Sequence, residues 1–294
     1  MTCTIGVLVY DRANFIQSCL TSISKQKYKG IDVIISVDYS QNQSQVLKVI
    51  NDFINAYDGE IPIQVIAHPE NIGAIKNHQF LIRQATGKYF CWVSDDDLLH
   101  EDFIITLVSV LESQNYDDVC CAFPAVRYIS EHNEKKEPAI KPRMSKFEKI
   151  KIISLIRMLD FPGQCFWAQL GVIKRDFAMC HALYPVETKS NVNTYTEFFF
   201  LAKIAIVARI VFVDKELLYY RIHEGSRYVS EERNRSRIDK YVKSLQLLAQ
   251  IFVVIGSIPS SHKKNMFNKF MVLLILSTNI TLWPLKSVIR KLRS

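Results

Sequence analysis

The chain has 294 residues, 49% hydrophobic and 22% charged, which allows one large domain or two smaller ones and excludes a disordered protein. Its formal net charge of +8 suits an anionic partner: a nucleotide phosphate, an acidic membrane surface or nucleic acid. The seven cysteines are scattered and form no CxxC pair, which argues against a disulfide framework or zinc site and for reduced thiols in a cytosolic protein.

The amino-terminal MTCTIGVLVYDR carries no basic stretch ahead of a long apolar core, so no secretory signal peptide is expected. Thr4–Val9 reads as a strand that ends at Tyr10-Asp11-Arg12. A helix follows, with Phe15, Ile16, Cys19, Leu20 and Ile23 on one face and Asn14 as its cap. Asp32–Val37 is a second strand, stopping at Asp38-Tyr39-Ser40, and Gln43–Asn55 a second helix. Ile63–Ala67 is a third strand, followed by a turn at Asn71-Ile72-Gly73 and a helix through Phe80, Leu81 and Ala85. Tyr89–Val93, aromatic and β-branched, reads as a strand covered on both faces, and a helix runs from about Glu101 to Ser113. This alternation is the rhythm of a parallel sheet with crossover helices, an α/β fold.

Three of the four strands end in acid: Asp11, Asp38 and the cluster Asp95, Asp96, Asp97. Adjacent carboxylates repel one another and are costly near a core unless a cation neutralises them. A hard divalent ion, Mn²⁺ or Mg²⁺, does this and leaves positions open for substrate phosphates. The alternative is a solvated acidic loop in which Asp97 caps the next helix. Past Ala122 the rhythm breaks, and the charged, proline-bearing Glu131–Arg143 reads as a surface loop. Ser145-x-x-Glu148 opens an apolar helix, and Gly163–Phe177 looks like a short strand leading into a turn and helix. Thr194–Ile206 is helical, and Arg209–Val213 and Leu217–Ile222 are two further strands. The remainder, 229–294, reads as a helical extension. Phe270–Leu285 is uncharged but shorter than the roughly twenty residues a membrane span needs. With Lys286, Arg290, Lys291 and Arg293 behind it, it suits either a helix lying on an anionic membrane surface or a core-packed helix with solvated lysines. The basic residues lack the aromatic interleaving of a nucleic-acid site, so no nucleic-acid partner is expected.

Six short motifs in order, Tyr-Asp-Arg, VDYS, NIGAIKN, TGKYFCWVSDDDLL, TEFFFLAK and YYRIHEGS, resemble the family-two glycosyltransferases. The resemblance covers about Thr2 to Tyr228 and implies the A-type, Rossmann-like glycosyltransferase fold. It implies a catalytic domain over 1–228, with a nucleotide-binding half at 1–122 and an acceptor-binding half at 123–228. It also implies an inverting transfer of sugar from a nucleotide-diphosphate donor, with a UDP-linked sugar expected. The acceptor would be a saccharide or a lipid-linked saccharide in surface polysaccharide synthesis, on the cytoplasmic side or at the inner face of the cell membrane. By position, Val9, Tyr10 and Asp11 would line the base pocket and Asp38 would accept hydrogen bonds from the base. Lys76 would lie near base and phosphates, Asp95 near the ribose, and Asp96 would support Asp97, the metal ligand. Glu197 would be the general base, and His223 would lie near the diphosphate as a second metal ligand. Tyr39, Asp11 and Thr196-Glu197 depart from the family's common residues, which bears on the nucleotide and the base. Trp167 reads as core, with stacking on an acceptor sugar as its functional alternative. A sugar nucleotidyltransferase would share the sheet but needs a glycine-rich loop, and Tyr10–Phe15 has no glycine. A non-catalytic, membrane-associated nucleotide-sugar-binding protein would need no acid at Glu197.

Overall fold

The computed structural model describes residues 2–114, 119–136, 171–180 and 208–223. In chain order these form β1 (Cys3–Val9), α1 (Ala13–Ser24), β2 (Ile31–Val37), α2 (Gln43–Ala56), β3 (Ile63–Ala67), α3 (Ala74–Gln84) and β4 (Tyr89–Ser94). They continue as β5 (Leu98–Leu99), α4 (Phe103–Glu112), β6 (Val119–Ile129), β7 (Val172–Lys174), α5 (Arg175–Cys180) and β8 (Arg209–Arg221).

The strands make one eight-stranded sheet in the order β3-β2-β1-β4-β7-β6-β8-β5. The first four are mutually parallel. β7 is antiparallel to both β4 and β6, and β8 is parallel to β6. It follows that β1, β2, β3, β4, β6 and β8 all point the same way. Their carboxyl ends share one edge of the sheet, the edge where open α/β sheets bind ligands.

Local sequence explains most of this. β1, β2 and β4 are almost wholly buried because helices cover both faces, which suits their unbroken Val, Ile and aromatic runs. Gly6 sits in β1 because a Cβ there would come within 2.8 Å of the Phe90 ring. α1 buries the expected face of Phe15, Ile16, Cys19, Leu20 and Ile23, each contributing about 2 kcal/mol on full burial. Its start differs from expectation: Arg12, not Asn14, occupies the capping position, and no side chain caps it.

Two corrections concern the second half and a third the acidic turn. β6 runs through Ala122 as an eleven-residue strand where sequence suggested a break. The register shifts beside Pro124, so a residue with no N–H sits next to a bulge instead of breaking the ladder. Arg209–Val213 and Leu217–Ile222 are parts of one strand, because Pro124 pairs with Val213 and Ala125 with Glu216, leaving Asp214 and Lys215 as the bulge. Asp97 does not cap a helix, since β5 intervenes and α4 begins only at Phe103. Among the described residues Cys3, Cys19, Cys91, Cys120 and Cys121, all buried, and the exposed Cys180 are not joined in disulfides. No helix among the described residues is long and apolar enough to cross a membrane. The 229–294 extension, with its Phe270–Leu285 stretch, lies outside them, as do Glu197, Trp167 and the Ser145–Glu148 capping box.

Candidate active site

β4 carries the chain to the shared edge at Ser94, and the three acids follow as a tight turn before β5. Each has its own surroundings. Asp95 is buried, and accepts the Tyr10 N–H on Oδ2 (3.2 Å) and Arg12 Nη1 on Oδ1 (2.7 Å). Burial pushes its pKa up to about 6, against the pull of Arg12. Asp96 keeps 8% of its surface exposed, and its Oδ2 lies 3.0 Å from His223 Nε2 and 3.3 Å from Arg12 Nη1. Asp97 turns inward: Oδ1 accepts the Arg221 N–H at 3.1 Å, while Oδ2 is buried with no hydrogen-bond partner. Burial, and then the neighbouring Asp96, hold the Asp97 carboxyl well above the usual carboxylate range.

Two arginines complete the cluster. Arg221, at the end of β8, is only 1% exposed and is among the largest fully buried side chains described. Its Nε donates to the Asp96 carbonyl (2.7 Å), and its Nη1 to the carbonyls of Ser130 (3.0 Å) and Glu131 (2.9 Å). Its Nη2 reaches Ser18 Oγ at 3.5 Å, and the guanidinium stacks on Phe15 with Cζ 4.8 Å from the ring centroid. One side chain thus ties β8, the acidic turn, the end of β6 and α1 together. Phe15 also packs on His223, with ring centroids 5.1 Å apart. Arg12 is the residue just ahead of α1, with its side chain 34% exposed. Burial works against its charge, but Asp96 and Asp95 outweigh it and hold the guanidinium above its ordinary pKa.

At the end of β2, the buried Asp38 is fully engaged by backbone. Its Oδ1 accepts the N–H groups of Tyr39 (2.9 Å) and Ile72 (2.8 Å), and its Oδ2 that of Gly73 (2.9 Å). Gly73 adopts φ +81°, a conformation that favours glycine and aims its N–H at the carboxylate. Asp38 therefore clamps the loop leading into α3. Tyr10 and Tyr39 are exposed at this edge, Asp11 accepts Ser40 Oγ at 3.4 Å, and Lys76 is exposed in the first turn of α3. Val9 presents no side chain to the edge: it is buried in the core, and its carbonyl accepts the Asp38 N–H.

The structure therefore brings together Tyr10, Asp95, Asp96, Asp97 and His223, and sets Asp96, not Asp97, beside the histidine. Sequence reasoning missed the roles of Arg12 and Arg221. Both stood within quoted motifs, and an arginine closing an apolar strand run (LLYYR) is itself a signal, because a buried arginine must be paired.

Among the described residues no group of three or more His, Cys, Asp or Glu side chains converges as a ready cage for a metal. The residues still fit a divalent cation of the Mg²⁺ or Mn²⁺ kind. Such ions are commonly held by one or two carboxylates together with substrate phosphates. The unpartnered Asp97 Oδ2, with Asp96 and His223, supplies that chemistry.

The profile of Glycosyl transferase family 2 matches residues 4–177, more than half of the chain, and the chain belongs to that family. An uncharacterized glycosyltransferase of Rickettsia typhi is 27% identical over 116 residues, covering 40% of this chain and 34% of its own length. The chain thus spans about a third of that relative. Among solved structures, S. aureus TarS 1–349 in complex with UDP-GlcNAc superposes with a TM-score of 0.65 at 17% identity, over 96% of this chain and 73% of that one. A Pyrobaculum calidifontis mannosyltransferase in complex with GDP-Man and Mn²⁺ gives 0.56 at 14% identity, over 94% and 73%. These likenesses show that the fold is the Rossmann-like, A-type glycosyltransferase fold.

Proposed function

We propose that this chain transfers a sugar, with inversion, from a UDP-linked donor to a saccharide or lipid-linked saccharide acceptor in polysaccharide synthesis. The observation that carries this reading is the acidic turn at the carboxyl edge of the sheet, with Asp96, the least buried of the three acids, between Arg12 and His223. The family membership supports it, as do the two solved structures of like fold that are in complex with nucleotide sugars.

The donor's diphosphate is an anion, and Arg12 and His223 give the edge two groups that pair with anions. In this reading Asp95, held by the Tyr10 N–H and by Arg12, is the acid on the ribose side of the donor. Exposed Tyr10 and Tyr39 offer flat faces for a base, and Asp38 fixes the loop that ends the base side. Asp96 and Asp97 with His223 would hold a divalent ion, which when bound would supply Lewis-acid stabilisation of charge on the leaving β-phosphate. A sugar hydroxyl is a weak nucleophile at neutral pH, so a carboxylate must accept its proton, and Glu197, among Phe198, Phe199 and Phe200, takes that role. In this reading residues 1–122 bind the donor, 123–228 the acceptor, and the 229–294 extension lies on the anionic inner face of the cell membrane. A panel of nucleotide sugars with Mn²⁺ or Mg²⁺, scored by nucleoside-diphosphate release and by thermal shift, tests the proposal. A UDP-sugar should raise the melting temperature and release UDP when acceptor is present. Absence of both with every donor overturns the reading.

A further inference from the structure

The charge of three adjacent carboxylates has to be neutralised, and in this structure the chain's own side chains do it. Arg12 Nη1 lies between two of them, 2.7 Å from Asp95 Oδ1 and 3.3 Å from Asp96 Oδ2. It therefore occupies the outward oxygen of Asp96, the oxygen that also faces His223. A guanidinium and a dication cannot share that oxygen without strong like-charge repulsion at close range.

We propose that Arg12 is an internal counter-ion that occupies Asp96 in the donor-free protein and must leave it for a divalent cation to bind. The inference rests on the glycosyltransferase reading for the identity of the cation, and deepens it. The contrast with Arg221 shows which arginine is able to move. Arg221 is buried, with hydrogen bonds to three carbonyls and a ring beneath it, so removing it would unmake the edge. Arg12 is one-third exposed, precedes α1 with non-helical backbone (φ −124°, ψ 62°), and caps nothing with its side chain. Rotation about its side-chain torsions releases both acids and leaves every backbone hydrogen bond of α1 in place. Swung to the solvent side, its fork of N–H donors matches an incoming phosphate, so the same charge serves the acids before binding and the diphosphate after it.

Mn²⁺ titration of the full chain without nucleotide, read from the EPR signal of free Mn²⁺, tests this. Arg12→Gln should bind Mn²⁺ at least tenfold more tightly than the unmodified chain. Lys25→Gln, which removes the same charge at the exposed far end of α1, should shift affinity less than twofold. Equal or weaker binding by Arg12→Gln, including no binding by either protein, overturns the proposal, as does an equal gain with Lys25→Gln. If Arg12→Gln does not fold, Arg12→Lys decides, because the lysine ammonium ends one bond short of Nη1, the single nitrogen that meets both acids. A threefold or greater gain supports the proposal and an unchanged affinity overturns it. Nucleoside-diphosphate release scored on the same proteins separates the two claims. Tightened Mn²⁺ binding with no release from any donor keeps the counter-ion and removes the transferase reading, while release with unchanged Mn²⁺ affinity does the reverse.

Discussion

Two acids at the same edge of the sheet, Asp38 after β2 and Asp96 after β4, are both nearly buried, yet they are satisfied in different ways. Asp38 is held by three backbone N–H groups, from Tyr39, Ile72 and Gly73. Asp96 is met by side chains, the guanidinium of Arg12 and the imidazole of His223. Backbone amides cannot withdraw without unfolding their loop, whereas side-chain partners rotate away. A strand-end carboxylate thus becomes a ligand site when its partners are exchangeable and a structural clamp when they are not. Residue type alone does not distinguish the two cases.

The largest effect should come from removing the part that makes the Asp96 turn rigid beneath its exchangeable surface. Arg221→Met would strip donors from the carbonyls of Asp96, Ser130 and Glu131 together, and should cost about 3–5 kcal/mol in urea unfolding. A loss under about 1 kcal/mol would mean that the turn stands without it. Next comes the clamp. Asp38→Asn keeps one acceptor oxygen but sets an amide NH₂ where a carboxylate oxygen met the Gly73 N–H. It should cost about 2 kcal/mol and speed amide hydrogen exchange at Ile72 and Gly73. Unchanged exchange there would erase the distinction drawn between the two acids.

The smallest stability effect has the opposite sign and depends on pH. Asp95 has its pKa raised in the folded chain from 3.8 to about 6, chiefly by burial. Between those values the folded state binds more protons than the unfolded one, so this group's contribution falls as pH rises. The cost is complete above pH 6 and absent below the unfolded value. Asp95→Asn removes that cost but also weakens the hydrogen bond from Arg12, leaving a net gain of about 1–2 kcal/mol at pH 8 and none at pH 4. Paired unfolding curves at the two pH values check both sign and window.

The parallel half of the fold was legible in the sequence because its signals are local. The apolar runs of β1, β2 and β4 and the helical period of α1 each appear within a dozen residues. The second half was less so, because β8 absorbs Asp214 and Lys215 in a bulge that reads as a break until its partner strand β6 is known. The acidic turn was visible as three adjacent aspartates, but their division of labour was not. Which one faces outward depends on β8, whose Arg221 N–H draws Asp97 inward from 124 residues away. Arg12 is close in sequence to Asp11, yet its partners Asp95 and Asp96 come from another strand, so no local pattern could assign it.

Turnover by Asp96→Asn tests the central claim most directly, since this change alters the outward carboxylate and leaves the Arg221 bond to the Asp96 carbonyl intact. Nucleoside-diphosphate release from the preferred donor with Mn²⁺ should fall by about 100-fold or more, with the urea midpoint nearly unchanged. A folded Asp96→Asn chain that released nucleoside diphosphate at the unmodified rate would contradict the account.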